Sequence, residues 1–174
     1  MSGNTACFPA EARFFAAIKK ELCTMYVNEL TRDYQSPAFQ QAFRSYADEL
    51  GIRVSNWEGF FCGMTDEGIP AIVRKDAAGQ VIGFIQFSRI IMTSWFFEDR
   101  YGFIREFWVH PGHRGRGHGA ELLAQAERYF RKQGICKMIL TTDNADGFYL
   151  RHGYRHDEDM VAKNGSKVYT KTLP

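Results

Sequence analysis

The chain has 174 residues, 45% of them apolar, 15% aromatic and 24% charged, a composition that fits one globular domain and excludes a disordered or fibrous protein and a second full domain. Its 22 Lys and Arg against 20 Asp and Glu leave a net charge of +2, so nucleic acid is not an expected partner and any basic function is local. No apolar run approaches the roughly 20 residues that span a bilayer, and Met1-Ser2-Gly3-Asn4-Thr5 lacks the basic and apolar regions of a secretory leader, so a soluble cytoplasmic protein without membrane attachment is expected.

From about Pro9 to Leu30, Phe14, Ile18, Leu22, Met25 and Leu30 recur near helical spacing and predict a first helix. Ser36 and Pro37 are start signals for a second, whose apolar face is Phe39, Ala42, Phe43, Tyr46 and Leu50 and whose stop is Gly51. Over 52–68, Trp57, Phe60 and Phe61 suit a short helix or a packed loop. The period then changes. Ile69–Arg74 and Val81–Met92 are rich in β-branched residues and flank Asp76-Ala77-Ala78-Gly79, which predicts an antiparallel hairpin.

After a loop from Thr93 to Arg100, Tyr101–Val109 reads as a strand closed by His110-Pro111-Gly112. Gly119–Gln133 reads as a helix with Leu122, Leu123, Ala126 and Phe130 inward, followed by a strand over Ile135–Thr142. A short helix around Phe148–His152 and strands over Tyr154–Ala162 and Lys167–Leu173, turning at Asn164-Gly165, complete a mixed α/β domain. The four cysteines, Cys7, Cys23, Cys62 and Cys136, form no C-x-x-C pair, and most lie in apolar stretches where a thiol behaves as a small hydrophobe. His110-x-x-His113 falls in a turn and lacks further ligands at zinc spacing, so no metal is expected.

The most informative segment is His113-Arg114-Gly115-Arg116-Gly117-His118-Gly119-Ala120, where three glycines alternate between a strand and an amphipathic helix. Glycine lets the backbone approach a ligand closely, and a helix N-terminus offers unpaired N–H groups and partial positive charge, so the expected guest is a pyrophosphate. A Walker-type loop is set aside because no Lys-Ser or Lys-Thr follows the glycines. Gly115-x-Gly117-x-x-Ala120 with Asp143 downstream also satisfies the dinucleotide pattern, but the remainder of the chain is too short for the β-α units that a doubly wound fold adds after it.

Arg114-x-x-Gly117-x-Gly119, directly after Val109-His110-Pro111, resembles the acyl-CoA signature of the GNAT superfamily of N-acetyltransferases. Phe148-Tyr149-Leu150-Arg151-His152-Gly153-Tyr154 is similar to the aromatic-Tyr-x-x-x-Gly-aromatic segment of that family. The likeness runs from about Val81 to Tyr154 and is thin before Ile69, where the sequence offers no counterpart of the family's usual first strand. It implies a single GNAT-like domain over residues 1–174, with the signature at about 101–154 and a mixed, mostly antiparallel sheet flanked by helices after an N-terminal helical segment.

The resemblance implies transfer of an acetyl group from acetyl-CoA to a primary amine. The backbone of Arg114, Gly115, Arg116, Gly117, His118, Gly119 and Ala120 would then hold the pyrophosphate. The main chain of Phe107, Trp108 and Val109 would pair with pantetheine, and an N–H near Val109 would face the thioester oxygen. Tyr149 matches the tyrosine that returns a proton to the CoA thiolate, and Glu106 holds a place where a carboxylate serves as base. Simple strand alternation sets Glu106 on one face with Ile104 and Trp108. A salt-bridged strand Glu is the plainer alternative for Glu106, and an amphipathic core Tyr for Tyr149. Where the family often carries Asn seven residues before the tyrosine this chain has Thr142, leaving Asn144 as the candidate pantetheine contact.

For the acceptor, Trp95, Phe96, Phe97, Glu98 and Asp99, with Trp108 and the acidic run Asp157-Glu158-Asp159, offer aromatic faces and carboxylates suited to a small cationic amine. A protein N-terminus or lysine as acceptor, a longer acyl donor, and a non-catalytic acyl-CoA sensor stay open, as does the choice between monomer and homodimer.

Overall fold

The computed structural model describes residues 26–174. Seven strands form one sheet in the order β1-β2-β3-β4-β5-β7-β6: β1 Tyr26–Thr31, β2 Ala71–Asp76, β3 Val81–Thr93, β4 Glu98–Val109, β5 Lys137–Thr142, β6 Arg155–His156 and β7 Lys167–Thr172. Every neighbouring pair is antiparallel except β4 and β5. The helices are α1 Pro37–Glu49, α2 Trp57–Asp66, α3 His118–Arg131 and α4 Asp146–Arg151.

The first predicted helix fails over its last residues, its earlier part lying outside the described residues. Tyr26–Thr31 is an edge strand that pairs along its whole length with β2. Leu30, the one residue of the predicted apolar stripe among the described residues, is 48% exposed, and Val27 is 61% exposed, so the ladder rather than burial of these side chains supplies the cohesion. Residues 57–66 are helical, started by Asn56, whose side chain accepts the Gly59 N–H at 3.0 Å. The C-terminal hairpin is looser than expected. β6 is two residues long, and its ladder joins Arg155 to Thr170 and His156 to Tyr169, leaving 157–166 as a connection. Asp157, Glu158 and Asp159 are poor strand formers and repel one another, which shortens the strand.

The sheet buries both faces. On one, α3 sets Leu122, Leu123, Ala126 and Phe130 against Ile72, Ile85, Phe87 and Ile104, with Met138 and Leu140 of β5 in the same core. On the other, Phe39 and Phe43 of α1 and Phe61 of α2 cover Ala71, Val73, Phe84 and Trp108. In β4 the register steps from Gln86↔Glu106 to Phe87↔Ile104, leaving Arg105 as an extra residue. That bulge reverses the alternation. Ile104 joins the core under α3, whereas Glu106 and Trp108 face α1, which corrects the grouping drawn from simple alternation.

β4 and β5 pair over Tyr101–Phe103 and Lys137–Ile139 and then part. The gap beyond this junction positions the site.

Candidate active site

The gap opens into a cleft of about 650 Å³ floored by Phe107, Trp108 and Val109 of β4. Gly115, Gly117, His118, Gly119 and Ala120 close one end; Asn144, Phe148 and Tyr149 form the β5 side, and Tyr46, Glu49 and Leu50 the α1 side. The His110 N–H bonds back to Ile82 O on β3 at 2.9 Å, so alternation turns the N–H groups of Phe107 and Val109 toward the gap. This free strand edge can accept an extended chain as a strand.

At the loop, Gly115 and Gly117 adopt φ of +73° and +84°, a region that suits glycine. Gly117 caps α3, and the N–H groups of His118, Gly119 and Ala120 fall in the first turn, where no intrahelical acceptor exists. A hypothetical Cβ at Gly115 or Gly117 would meet open space, so at these two positions the glycine requirement is conformational. The segment therefore presents successive backbone donors at the positive end of a 14-residue helix, a cradle that fits a pyrophosphate.

Arg114 does more than supply charge. Its Nε donates to Val109 O at 2.8 Å, and its guanidinium grips both carboxylate oxygens of Glu49 at 2.6 and 2.7 Å. Trp108 Nε1 donates to the same carboxylate at 2.9 Å. The hydrogen bonds from Arg114 and then Trp108 hold the Glu49 carboxyl below the usual range. Glu49 was missed from sequence, although it lies three residues after Tyr46 and thus on the same side of α1, at its exposed end. Arg116 is exposed and outside the cleft lining.

Beneath the loop, His118 is 5% exposed and its Nδ1 accepts from Arg74 Nε at 2.9 Å. Arg74 also donates to Asn28 at 2.9 Å, so β1 and β2 are tied to the first residue of α3. Burial, then the Arg74 charge, pushes the His118 pKa down.

Glu106 does not line the cleft itself. Its carboxylate accepts a hydrogen bond from the Tyr46 hydroxyl, and Tyr46 does line the cleft. Burial pushes the Glu106 pKa up against the opposing pull of the Tyr46 hydrogen bond and Arg105. Burial and the neighbouring Glu106 charge push Tyr46 up as well. Across the gap Tyr149 is 6% exposed, packs edge-on against Phe148 and lies 6.5 Å from the Phe107 ring. Burial alone raises its pKa, which keeps the hydroxyl protonated at neutral pH. Thr142 Oγ1 accepts the Ala145 N–H at 3.2 Å and so caps the turn into α4, while Asn144 reaches the cleft.

The aromatic loop lies elsewhere. Trp95, Phe96, Glu98 and Asp99 are outside the cleft lining, as are Phe97 and the run Asp157-Glu158-Asp159. Glu98 is paired with Arg100 at 2.6 Å and Asp99 with Lys137 at 2.7 Å. Among the described residues no group of three or more His, Cys, Asp or Glu could hold a metal ion, and no helix is long and apolar enough to cross a membrane. Cys62 and Cys136 are free, exposed thiols.

A parted parallel strand pair, a free strand edge and a glycine loop opening a helix meet at one cleft in the centre of this α/β domain's sheet. The family model described as Acetyltransferase (GNAT) family matches residues 23–154, and the chain belongs to that family. An L-methionine sulfoximine/L-methionine sulfone acetyltransferase of Pseudomonas paraeruginosa is 26% identical over 119 residues, 65% of this chain and 66% of that protein, just under two thirds of the relative's length. A blasticidin-S acetyltransferase of Streptomyces morookaense is 35% identical over 85 residues, 47% of this chain and 54% of that one. Among solved structures, a GNAT family N-acetyltransferase from Escherichia coli in complex with CoA shares the fold with a TM-score of 0.63 at 14% identity, covering 86% of this chain and 82% of that one.

Proposed function

We propose that this protein transfers an acetyl group from acetyl-CoA to the primary amine of a small molecule in the cytoplasm. The observation that carries the reading is the convergence, in one cleft, of the backbone cradle at 115–120, the free edge of β4, and two hydroxyls, Tyr46 and Tyr149, on opposite sides. Relatives named for acetylating methionine sulfoximine and blasticidin S support a small-molecule acceptor.

Acetyl-CoA supplies an activated acyl thioester. The N–H groups of His118, Gly119 and Ala120 bind its pyrophosphate, and the edge of β4 at Phe107–Val109 orients the arm as an added strand. The Val109 N–H stabilises charge developing on the thioester oxygen. An amine entering from the α1 side meets the Tyr46 hydroxyl, which passes its own proton to Glu106 and takes one from the ammonium; the net transfer is from ammonium to carboxylate. Burial makes Glu106 a stronger base than an exposed carboxylate. The neutral amine nitrogen attacks the thioester carbon, and as the C–S bond breaks Tyr149 gives its proton to the departing thiolate and recovers one from the acetylated nitrogen, leaving a neutral amide.

Free CoA thiol is to be measured with acetyl-CoA and a panel of amines: methionine sulfoximine, blasticidin S, polyamines, aminoglycosides, amino acids and short peptides. Amine-dependent release with a product heavier by one acetyl group is expected. Acetyl-CoA binding without release by any amine would favour a sensing role, and release with peptides alone would favour a protein acceptor.

A further inference from the structure

Past the main sheet, β3 and β4 continue as a two-stranded ribbon. β2 accompanies β3 only as far as Gln86, and β5 joins β4 only at Tyr101. Between Arg89 and Thr93 on one arm and Glu98 and Gly102 on the other, the ladder runs from Arg89↔Gly102 to Thr93↔Glu98. The outer edge of β3 over this stretch has no strand partner among the described residues. A two-stranded ribbon alone is marginal in water and exposes backbone donors and acceptors that invite pairing.

Its tip is well built. Ser94 N–H donates to Phe97 O at 2.8 Å, and Ser94 Oγ accepts the Phe97 N–H at 3.2 Å. The closed turn holds the backbone while the rings stand in solvent: Trp95 is 98% exposed, Phe96 87% and Phe97 76%. Ile91 and Met92, 45% and 40% exposed, add apolar surface on the two opposite faces of the ribbon. At roughly 150–250 Å² per aromatic side chain, the three rings alone offer on the order of 500 Å², near the upper end of apolar patches found on monomers. The tip also lies far from the chain's own cleft, because eight residues of strand from Glu98 to Glu106 span about 27 Å.

We infer that this ribbon is a homodimer contact, with a second copy of the chain as its occupant. Two facing patches of this size, with the ribbon edges, remove on the order of 1,200 Å² from water, which reaches the range of specific interfaces. The rim carries no obstacle to self-association. Glu98 is paired with Arg100 and Asp99 with Lys137 within each chain, so like rims can approach without stranding a charge. Arg89 is the one remaining charged residue of the ribbon. A tip that docks on lipid surrounds its aromatic residues with a cluster of Lys and Arg, which this ribbon lacks.

Light scattering coupled to size exclusion tests the inference on the full chain at micromolar concentration. Wild type is expected at twice the chain mass, and the double variant Trp95→Glu/Phe96→Glu at the chain mass with the far-UV circular dichroism of a folded chain, because both side chains are exposed within one chain. Val161→Glu, at another apolar side chain 90% exposed, is expected to stay dimeric. A monomeric wild type would overturn the inference, as would a double variant that remains dimeric. Sedimentation of a monomeric wild type with phosphatidylcholine–phosphatidylglycerol vesicles would assign the tip to lipid instead. None of these readings depends on acetyl transfer.

Discussion

Burial raises the pKa of Tyr149 and of Glu106, with opposite chemical consequences. It keeps the tyrosine a proton donor and makes the carboxylate a better acceptor. Tyr149→Phe is expected to lower kcat by about 10²- to 10⁴-fold while leaving acetyl-CoA affinity, read by calorimetry, unchanged. An amphipathic core Tyr without a catalytic role would leave kcat near that of wild type. The Glu106 carboxyl titrates above the ordinary range, so the acid limb of the kcat/KM profile is expected above that range and is expected to vanish in Glu106→Gln. Tyr46→Phe removes the hydroxyl that links Glu106 to the cleft, so kcat is expected to fall and that limb to be lost as in Glu106→Gln. Stability follows the same linkage. Between the ordinary and the raised pKa the folded chain holds more protons than the unfolded one, so Glu106 makes stability fall as pH rises through that window. His118 acts in the opposite sense: its lowered pKa makes stability fall as pH drops below the ordinary histidine range, and His118→Gln is expected to flatten that slope in pH-dependent melting. The loop residues and Tyr149 were legible in the sequence because their motifs are local. Tyr46 with Glu106, and Glu49 with Arg114, were not, because those partners lie 60 and 65 residues apart and meet only after α1 packs on the sheet.

At the scale of elements, the position of α3 is set from both ends. At its start, Gly117→Ala would force a β-carbon onto a φ of +84°; the expected result is weaker acetyl-CoA binding through a displaced first turn, read by calorimetry. Toward its end, Phe130 packs over β4 at Gly102. A β-carbon there would stand 2.6 Å from Phe130 Cγ and 2.7 Å from Met138 Sδ. Gly102→Ala is therefore expected to cost about 1–3 kcal/mol in denaturant melts. Helices α1 and α3 and strands β2, β3 and β5 were readable because their apolar periods agree with what they bury. β1 was not: as an edge strand held by its ladder, with Val27 and Leu30 outward, its side chains carry little sign of its state. The Arg105 bulge was equally invisible, since one extra residue in a strand leaves the local period intact while reversing the face of everything before it.

For the molecule as a whole, the single sheet opens the cleft where β4 and β5 part, and the aromatic ribbon lies apart from it. Trp95, Phe96 and Phe97, which the sequence pattern had suggested for an acceptor site, stand outside the cleft lining on the ribbon proposed for self-association. The proposed reaction passes an acetyl group from the cleft to an amine. The most direct measurement is mass spectrometry of the amine panel after incubation with wild-type protein and acetyl-CoA carrying an isotopically labelled acetyl group. A labelled acetyl is expected on at least one small amine, in amounts matching the CoA thiol released. Thiol release without labelled amine, or saturable acetyl-CoA binding with no labelled product from any amine, would contradict it.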